Sequence, residues 1–100
     1  MTTQDEPGDT SDVTPEEAAE IDRLIAGNVR AHRARLQLTQ QELADQLDWS
    51  RKSYGALEAG ARRVTVADAM ALCAALKIDL AELLRGAPPE ATQPLGLTQR

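Results

Sequence analysis

One segment of this chain, residues 39–60, restricts the possible folds more than any other. It reads TQQELADQLDWSRKSYGALEAG. Thr39 is a preferred N-cap residue, and Glu42 follows three residues later, which is the capping-box pattern of a helix start. Ser50 is a second N-cap residue, and Gly60 can adopt the left-handed conformation that commonly closes a helix. The segment therefore predicts two short helices joined by a short turn.

The sequence on either side predicts further helices. The run Thr14-Pro15-Glu16-Glu17 combines an N-cap, a proline at the first helical position and a capping-box glutamate. The helix that it starts is continuous unless Gly27-Asn28 interrupts it. Strand-favouring aromatic residues are rare, and phenylalanine is absent. We therefore expect an all-α, five-helix domain over residues 14–85, with its two central helices at about 39–47 and 50–59.

Both ends of the chain are predicted to lie outside this domain. Residues 1–13 are acidic and have no apolar periodicity, which is typical of a disordered tail. Residues 86–100 contain three prolines and little pattern, which predicts a second tail. No apolar run approaches the length of a membrane span, and the first residues do not resemble a secretory signal. We expect a cytoplasmic protein that does not contact a membrane.

The sequence also argues against several kinds of chemical site. Cys73 is the only cysteine, so an internal disulfide is impossible, and no histidine or second cysteine stands at metal-ligand spacing from it. We interpret Cys73 as a small core residue. Catalytic triads, paired carboxylates and phosphate-cradling glycine loops are also missing from the pattern. We therefore expect no enzymatic activity, no metal and no cofactor.

The charge is unevenly distributed along the chain. The formal net charge is −5, which is unusual for a protein that binds nucleic acid, because lysine and arginine supply most of the affinity for phosphates. Residues 1–19 hold six acids and no base, however, whereas residues 29–65 hold seven bases against four acids. Since binding depends on the charge of one face, the basic middle of the chain remains a candidate nucleic-acid surface.

The second central helix has one basic face. At 100° per residue, its outer arc carries two cations, two alanines, one glycine and no acid, while Tyr54 and Leu57 point to the opposite side. Arg51 and Lys52 lie in the first turn, where a helix in the major groove reaches base edges, and both can donate to the acceptors of guanine. Two short helices with this arrangement predict a DNA-reading unit. Its second helix lies in the major groove, and its first helix crosses the sugar-phosphate backbone of the DNA.

These residues resemble the Cro and lambda-type repressor family, also called the xenobiotic-response-element (XRE) helix-turn-helix family. The resemblance covers roughly residues 24–84. It rests on an arginine in the first helix, the motif TQQELA at 39–44, and the later spacing of serine, tyrosine, glutamate and glycine. The matching positions are Arg33, Ser50, Tyr54, Glu58 and Gly60.

The resemblance implies a lambda-repressor-like fold and assigns roles to individual residues. The base-reading residues would be Arg51, Lys52, Ser53 and Ala56. Contacts to DNA phosphates would come from Thr39, Gln40, Gly55, Arg62 and Arg63. Arg33 and Glu58 would form a buried structural ion pair.

Two positions depart from the family pattern. Asp48 stands where the family usually has glycine, although aspartate tolerates the left-handed conformation better than most residues. Trp49 replaces a small aliphatic residue, and we interpret Trp49 and Tyr54 as core residues rather than as DNA contacts. His32, in the first helix, is interpreted as a surface residue with no specific role, with a phosphate contact as the alternative.

The predicted function is sequence-specific binding of double-stranded DNA by a transcriptional regulator, either a repressor or an autoregulator. A domain of this size reads few base pairs, so a homodimer on a two-fold operator is expected. Its interface would involve Leu80, Leu83 and Leu84, or the tail from Ala87. The alternative is a protein-interaction module or antitoxin-like protein that uses the same fold to bind an unidentified protein partner. The acidic residues 1–13 either only solubilise the chain or compete with DNA for the basic face.

Overall fold

The computed structural model describes residues 14–96, and the predictions for residues 1–13 and for the last four residues lie outside that range. The described residues form helices and turns, with no β-strand, which confirms the all-α class. Within this range, no helix is both long and apolar enough to cross a membrane. The helices are α1 (Pro15–Arg35), α2 (Gln40–Leu47), α3 (Arg51–Glu58), α4 (Val66–Leu76), α5 (Leu80–Leu83) and α6 (Pro89–Thr92), followed by a 3₁₀ turn at Gln93–Leu95.

Helix α1 begins and continues as its sequence dictates. The hydroxyl of Thr14 accepts from the backbone N–H of Glu17 (3.1 Å), and the Glu17 carboxylate accepts from the Thr14 N–H (2.9 Å), which completes the capping box. The helix passes through Gly27-Asn28 without interruption. The side-chain amide of Asn28 donates to the carbonyls of Leu83 (2.7 Å) and Arg85 (3.0 Å), so it does not compete for the hydrogen bonds of its own helix.

The turn between α2 and α3 spans residues 48–50, as the cap residues predicted. A second capping box starts α2, formed by Thr39 and Glu42, and the Ser50 hydroxyl accepts from the N–H of Ser53 at the start of α3. Asp48 ends α2 in the left-handed conformation, at φ 60° and ψ 37°. Aspartate therefore takes the turn position that the family usually gives to glycine, at a modest cost in backbone strain.

The core lies where α1 to α5 meet, and it contains mostly aliphatic side chains. Tyr54, Leu57, Leu43 and Leu72 are fully buried, and Trp49 packs against them while remaining partly exposed. The interpretation of both aromatic residues as core therefore agrees with their positions. Gly60 closes α3 at φ 74°, and a Cβ there would lie 2.9 Å from Cγ of Arg23 on α1. A larger residue at position 60 would collide with Arg23, so glycine allows the end of α3 to lie against α1.

The segment after α5 differs from the predicted tail. Ala87 and Thr92 are buried, at 7% and 1% exposure, and helix α6 starts with Pro89 in its first turn. The sequence analysis treated the prolines as helix breakers, but proline is favoured at a first helical position, where its missing N–H needs no partner. Residues 87–92 thus extend the folded domain beyond the expected boundary at Gly86.

Candidate nucleic-acid interface

Helix α3 presents its start to solvent and buries its other side. Arg51 and Lys52 are exposed, and Ser53 and Ala56 are partly exposed beside them. The opposite side carries Tyr54 and Leu57, which are buried completely, and the nearly buried Glu58. The four predicted base-reading residues therefore lie on the accessible part of one short helix.

Glu58 is the centre of a hydrogen-bond cluster that joins α1, α2 and α3. Its carboxylate lies 2.5 Å from Nε of Arg33 and 3.3 Å from the Nη2 of the same arginine. The Tyr54 hydroxyl also donates to this carboxylate, and Nε2 of Gln40 donates to it at 2.8 Å. Arg33 further donates to the carbonyl of Leu38 at 2.7 Å. The structure thus contains the ion pair implied by the family resemblance and adds two partners that sequence reasoning missed.

The cluster keeps Glu58 charged despite its burial. Burial alone would raise the pKa of Glu58, but the hydrogen bonds from Arg33, Tyr54 and Gln40 outweigh it, so the pKa lies below that of an ordinary glutamate. Burial and the bond to Glu58 raise the pKa of Tyr54, which therefore stays protonated and donates. The bond to Glu58 likewise raises the pKa of Arg33. One carboxylate with four donated hydrogen bonds is a stable anchor for the neighbouring helices.

The same cluster reaches the exposed start of α3 through Gln40. Because the carboxylate of Glu58 can only accept, it takes the amide nitrogen of Gln40 and leaves the amide oxygen facing Arg51. Nη2 of Arg51 donates to that oxygen. Both polar ends of the Gln40 side chain are thus engaged within the protein. Gln40 is therefore a link between a buried anion and an exposed cation, and its contact with a DNA phosphate stays a prediction.

Gly55 lies directly beneath the guanidinium of Arg51. A Cβ built at position 55 would lie 2.9 Å from Nη1 of Arg51. A contact between Gly55 and a DNA phosphate stays a prediction; within the protein, the arginine of the preceding helical turn lies over this position. Glycine at this position lets Arg51 lie along α3 and reach Gln40.

Arg62, in the loop after α3, is held on two sides. Its guanidinium carbon lies 4.2 Å from the centre of the Trp49 ring, and its Nη2 is 3.1 and 3.2 Å from the two carboxylate oxygens of Asp68. Burial would raise the pKa of Asp68, but the bonds from Thr65 and Arg62 lower it, so the carboxylate stays charged. Arg62 is therefore paired with a carboxylate while 30% of its side chain stays exposed, and its contact with a DNA phosphate stays a prediction.

Arg63 and Thr39 occupy the edges of this surface. Nε of Arg63 lies 2.9 Å from the buried Asp22, but 65% of its side chain remains exposed. Asp22 also accepts from the N–H of Val64 at 3.2 Å, which ties the loop to α1. The exposed Thr39 sits at the N-terminus of α2, where helix amides favour an anion. Both residues are placed where a phosphate could approach the start of α2 and the end of the loop.

His32 corrects an expectation of the sequence analysis, because it is buried rather than on the surface. It is 6% exposed, and its ring nitrogens lie 3.2 Å from Glu82 of α5 and 2.7 Å from Arg35. Its role is to join α1 to α5, away from the start of α3. Among the described residues, no group of histidine, cysteine, aspartate and glutamate has the arrangement of a metal site.

Comparison with known proteins agrees with this geometry. The helix-turn-helix family HTH_3 matches residues 29–83, which is more than half of the chain. A crystal structure described as a hypothetical transcription factor, NHTF from Neisseria, is similar at a TM-score of 0.62 and 27% sequence identity, with 75% of this chain and 84% of that chain covered. No curated protein matches the sequence. With its family pattern, its two capped central helices and this match, the chain belongs to the XRE-type helix-turn-helix family of DNA-binding domains.

Proposed function

We propose that this protein is a sequence-specific transcriptional regulator that binds double-stranded DNA with α3 in the major groove. The observation that carries the proposal is the held guanidinium of Arg51 at the exposed start of α3, fixed by Gln40 and, through it, by the buried Glu58. A side chain that is ordered before binding loses less conformational entropy when it meets a base. The similar hypothetical transcription factor supports the same regulatory role.

The base-reading residues are Arg51, Lys52, Ser53 and Ala56. Arg51 and Lys52 donate to the O6 and N7 acceptors of guanine, Ser53 bonds either a donor or an acceptor, and Ala56 contacts a thymine methyl group. Since Arg51 is held by a neutral amide, it carries its full charge to the DNA. Each of these contacts depends on α3 entering the groove with its first turn leading.

The phosphate-contacting residues are Thr39, at the start of α2, and Arg63, in the loop after α3. Gln40 and Gly55 contribute by positioning Arg51, and Arg62 contributes by holding the loop against Trp49 and Asp68. Contacts to the backbone fix the register of the protein on the duplex without reading sequence. Discrimination between DNA bases is thus left to the four base-reading residues on the exposed side of α3.

The proposed regulator acts as a homodimer on a two-fold operator, either as a repressor of other genes or as an autoregulator of its own. A dimer reads two half-sites about one DNA turn, or 34 Å, apart, so the operator symmetry reflects the symmetry of the protein. Repression follows when such an operator overlaps a promoter. A reporter gene behind the selected operator should therefore be less active when the protein is present.

Selection from a pool of random double-stranded DNA tests this function. The wild-type protein should enrich a two-fold symmetric motif with a guanine in each half-site, because Arg51 is the donor that Gln40 holds on this face. Arg85→Ala, which changes an exposed arginine in the turn after α5, is the matched control and should enrich the same motif. Enrichment of no motif by the wild type would contradict the proposed function.

A further inference from the structure

An open apolar groove runs between α4 and α5 and ends at the 3₁₀ turn. Its volume is about 620 Å³, and none of its lining residues is charged. Val66 and Met70 on α4 are 78% and 68% exposed, and Leu95 on the far rim is 56% exposed. Leu80 of α5 forms the side between them. We call this surface the α4–α5 groove.

The large apolar side chains that are exposed in the described structure are concentrated in this groove. Five such residues are more than a third exposed, and four of them line the groove; Leu36, at the end of α1, is the fifth. Apolar residues scattered singly over a surface are normal, but a contiguous group marks an interaction site. The groove therefore has the character of an interaction surface.

We propose that a second copy of this chain covers the α4–α5 groove, so that the operator-binding dimer forms through it. A two-fold dimer brings the same patch of both copies together, so the patch must be complementary to itself. A largely apolar surface with no charged residue satisfies this condition. This inference rests on the proposed function, which requires a dimer.

A second groove on the molecule fails the same condition. It lies between α1 and α6, and its lining includes Glu17, Glu20 and Glu90. Two copies meeting there would bring six carboxylates together, and like charges across an interface oppose association. The groove overlaps the interface that the sequence analysis expected. Leu83 is buried in the core of its own chain, but Leu80 and Leu84 line the groove, as does Leu95 from the segment after Ala87.

The position of the groove suits the spacing of two half-sites. Val66 stands eight residues after Glu58, the last residue of α3, so the groove lies within about 28 Å of that end even for a fully extended chain. In a dimer with half-sites about 34 Å apart, each α3 lies about 17 Å from the two-fold axis. The short chain path between α3 and the groove is thus compatible with a two-fold axis at the groove and two copies of α3 in successive turns of the major groove.

Sedimentation of the full chain without DNA tests the interface. The wild type should dimerise with a dissociation constant below about 100 μM, and Met70→Glu should weaken the dimer at least about tenfold, because it buries a carboxylate against its symmetry mate. Leu36→Glu introduces the same charge at the exposed apolar residue outside the groove and should dimerise like the wild type. A wild type that stays monomeric, or a Met70→Glu variant that dimerises as tightly as the wild type, would overturn the inference.

Cross-linking gives a second readout that does not depend on weakening the dimer. In a Cys73→Ser background, Met70→Cys places one thiol in the groove, and a short bis-maleimide should join two copies. Leu36→Cys in the same background is the control and should give little dimer. Equal yields from the two positions would argue against the groove as the interface.

The outcomes separate this inference from the proposed function. Loss of the dimer in Met70→Glu without any DNA motif for the wild type would support the interface and contradict the function. A wild type that stays monomeric but selects a single half-site would support sequence-specific DNA binding and contradict the interface. Arg51→Ala, which alters only the DNA-reading face, should dimerise as the wild type does.

Discussion

Two arginines flank the predicted recognition helix, and the protein treats them in opposite ways. Arg51, at the start of α3, is held by the neutral amide of Gln40. Arg62, beyond the end of α3, is held by the carboxylate of Asp68 and by the Trp49 ring. A neutral partner positions a cation and leaves its charge available, whereas a carboxylate neutralises it. We therefore expect the arginine with the neutral partner to read DNA and the one with the charged partner to shape the loop.

The position of Arg51 on the surface depends on a group in the interior of the domain. Arg51 is exposed, yet it is two hydrogen bonds away from a carboxylate that is 4% exposed. Buried hydrogen-bonded groups hold their geometry better than surface groups do, since water does not compete with them. The interior of the domain thus positions the exposed arginine that we propose as the base reader.

The largest expected effect follows from removing the anchor of Arg51. Glu58→Ala leaves Arg33 without its carboxylate and Gln40 and Tyr54 without an acceptor, and it should lower the free energy of unfolding by about 3 to 5 kcal/mol. Urea denaturation measures this. The double variant Arg33→Met with Glu58→Leu should recover most of the loss, because it removes both charges. A loss below about 1 kcal/mol would show that the cluster is not a structural anchor.

The same anchor should make the fold sensitive to acid. Because Glu58 has a folded pKa below its ordinary value of 4.5, the unfolded chain binds its proton first, so the charged group stabilises the fold above that pH. This stabilisation should fall away as the pH drops below 4.5 towards the folded value. Glu58→Gln should show a shallower loss of unfolding free energy with acid. An unchanged slope would assign the acid sensitivity to other groups, with Asp68 the first to test.

Gly55→Ala sharpens the comparison because it separates stability from recognition. Alanine favours a helix interior by about 0.5 to 1 kcal/mol over glycine, and the atom it meets is the movable end of Arg51. The variant should therefore be slightly more stable while its discrimination between guanine and other bases weakens. Thermal unfolding and competition binding with base-substituted operators measure the two effects. Unaltered discrimination would mean that the position of Arg51 over Gly55 does not matter.

The smallest expected effect comes from the other arginine. Arg62→Ala removes the contact with Trp49 and one ion pair, which together contribute about 1 kcal/mol to folding. The order of preferred DNA bases should stay as in the wild type, because this charge is already neutralised. Urea denaturation and competition binding measure the two properties. A changed base preference would transfer Arg62 to the reading surface.

The helix starts could be predicted from the sequence because helix caps depend on neighbouring residues. Contacts between residues far apart in the chain could not be predicted in this way. The caps at Thr14, Thr39 and Ser50 act over three residues, so the sequence alone located the helix starts. Gln40 and Glu58 are eighteen residues apart, and His32 and Glu82 are fifty apart. Such pairings depend on how the helices pack, which no spacing rule supplies. The pairing of Arg33 with Glu58 was expected only through the family resemblance.

The candidate site shows the same limit in its charges. Sequence analysis placed Arg51, Arg62 and Arg63 on one basic surface, because a pattern counts charges without their partners. The structure pairs Arg62 with Asp68 and Arg63 with Asp22, and leaves Arg51 beside a neutral amide. Of these three arginines, two are therefore paired with carboxylates in the protein, and Arg51 alone has a neutral partner.

The central claim is that Arg51 reads a base and Arg62 does not, and parallel DNA selection with Arg51→Ala and Arg62→Ala tests it most directly. We predict that Arg51→Ala loses the preference at one base pair of each half-site, a discrimination of about 1 to 3 kcal/mol, while Arg62→Ala enriches the wild-type motif. An Arg51→Ala variant that selects the wild-type motif unchanged would contradict this account of the recognition surface.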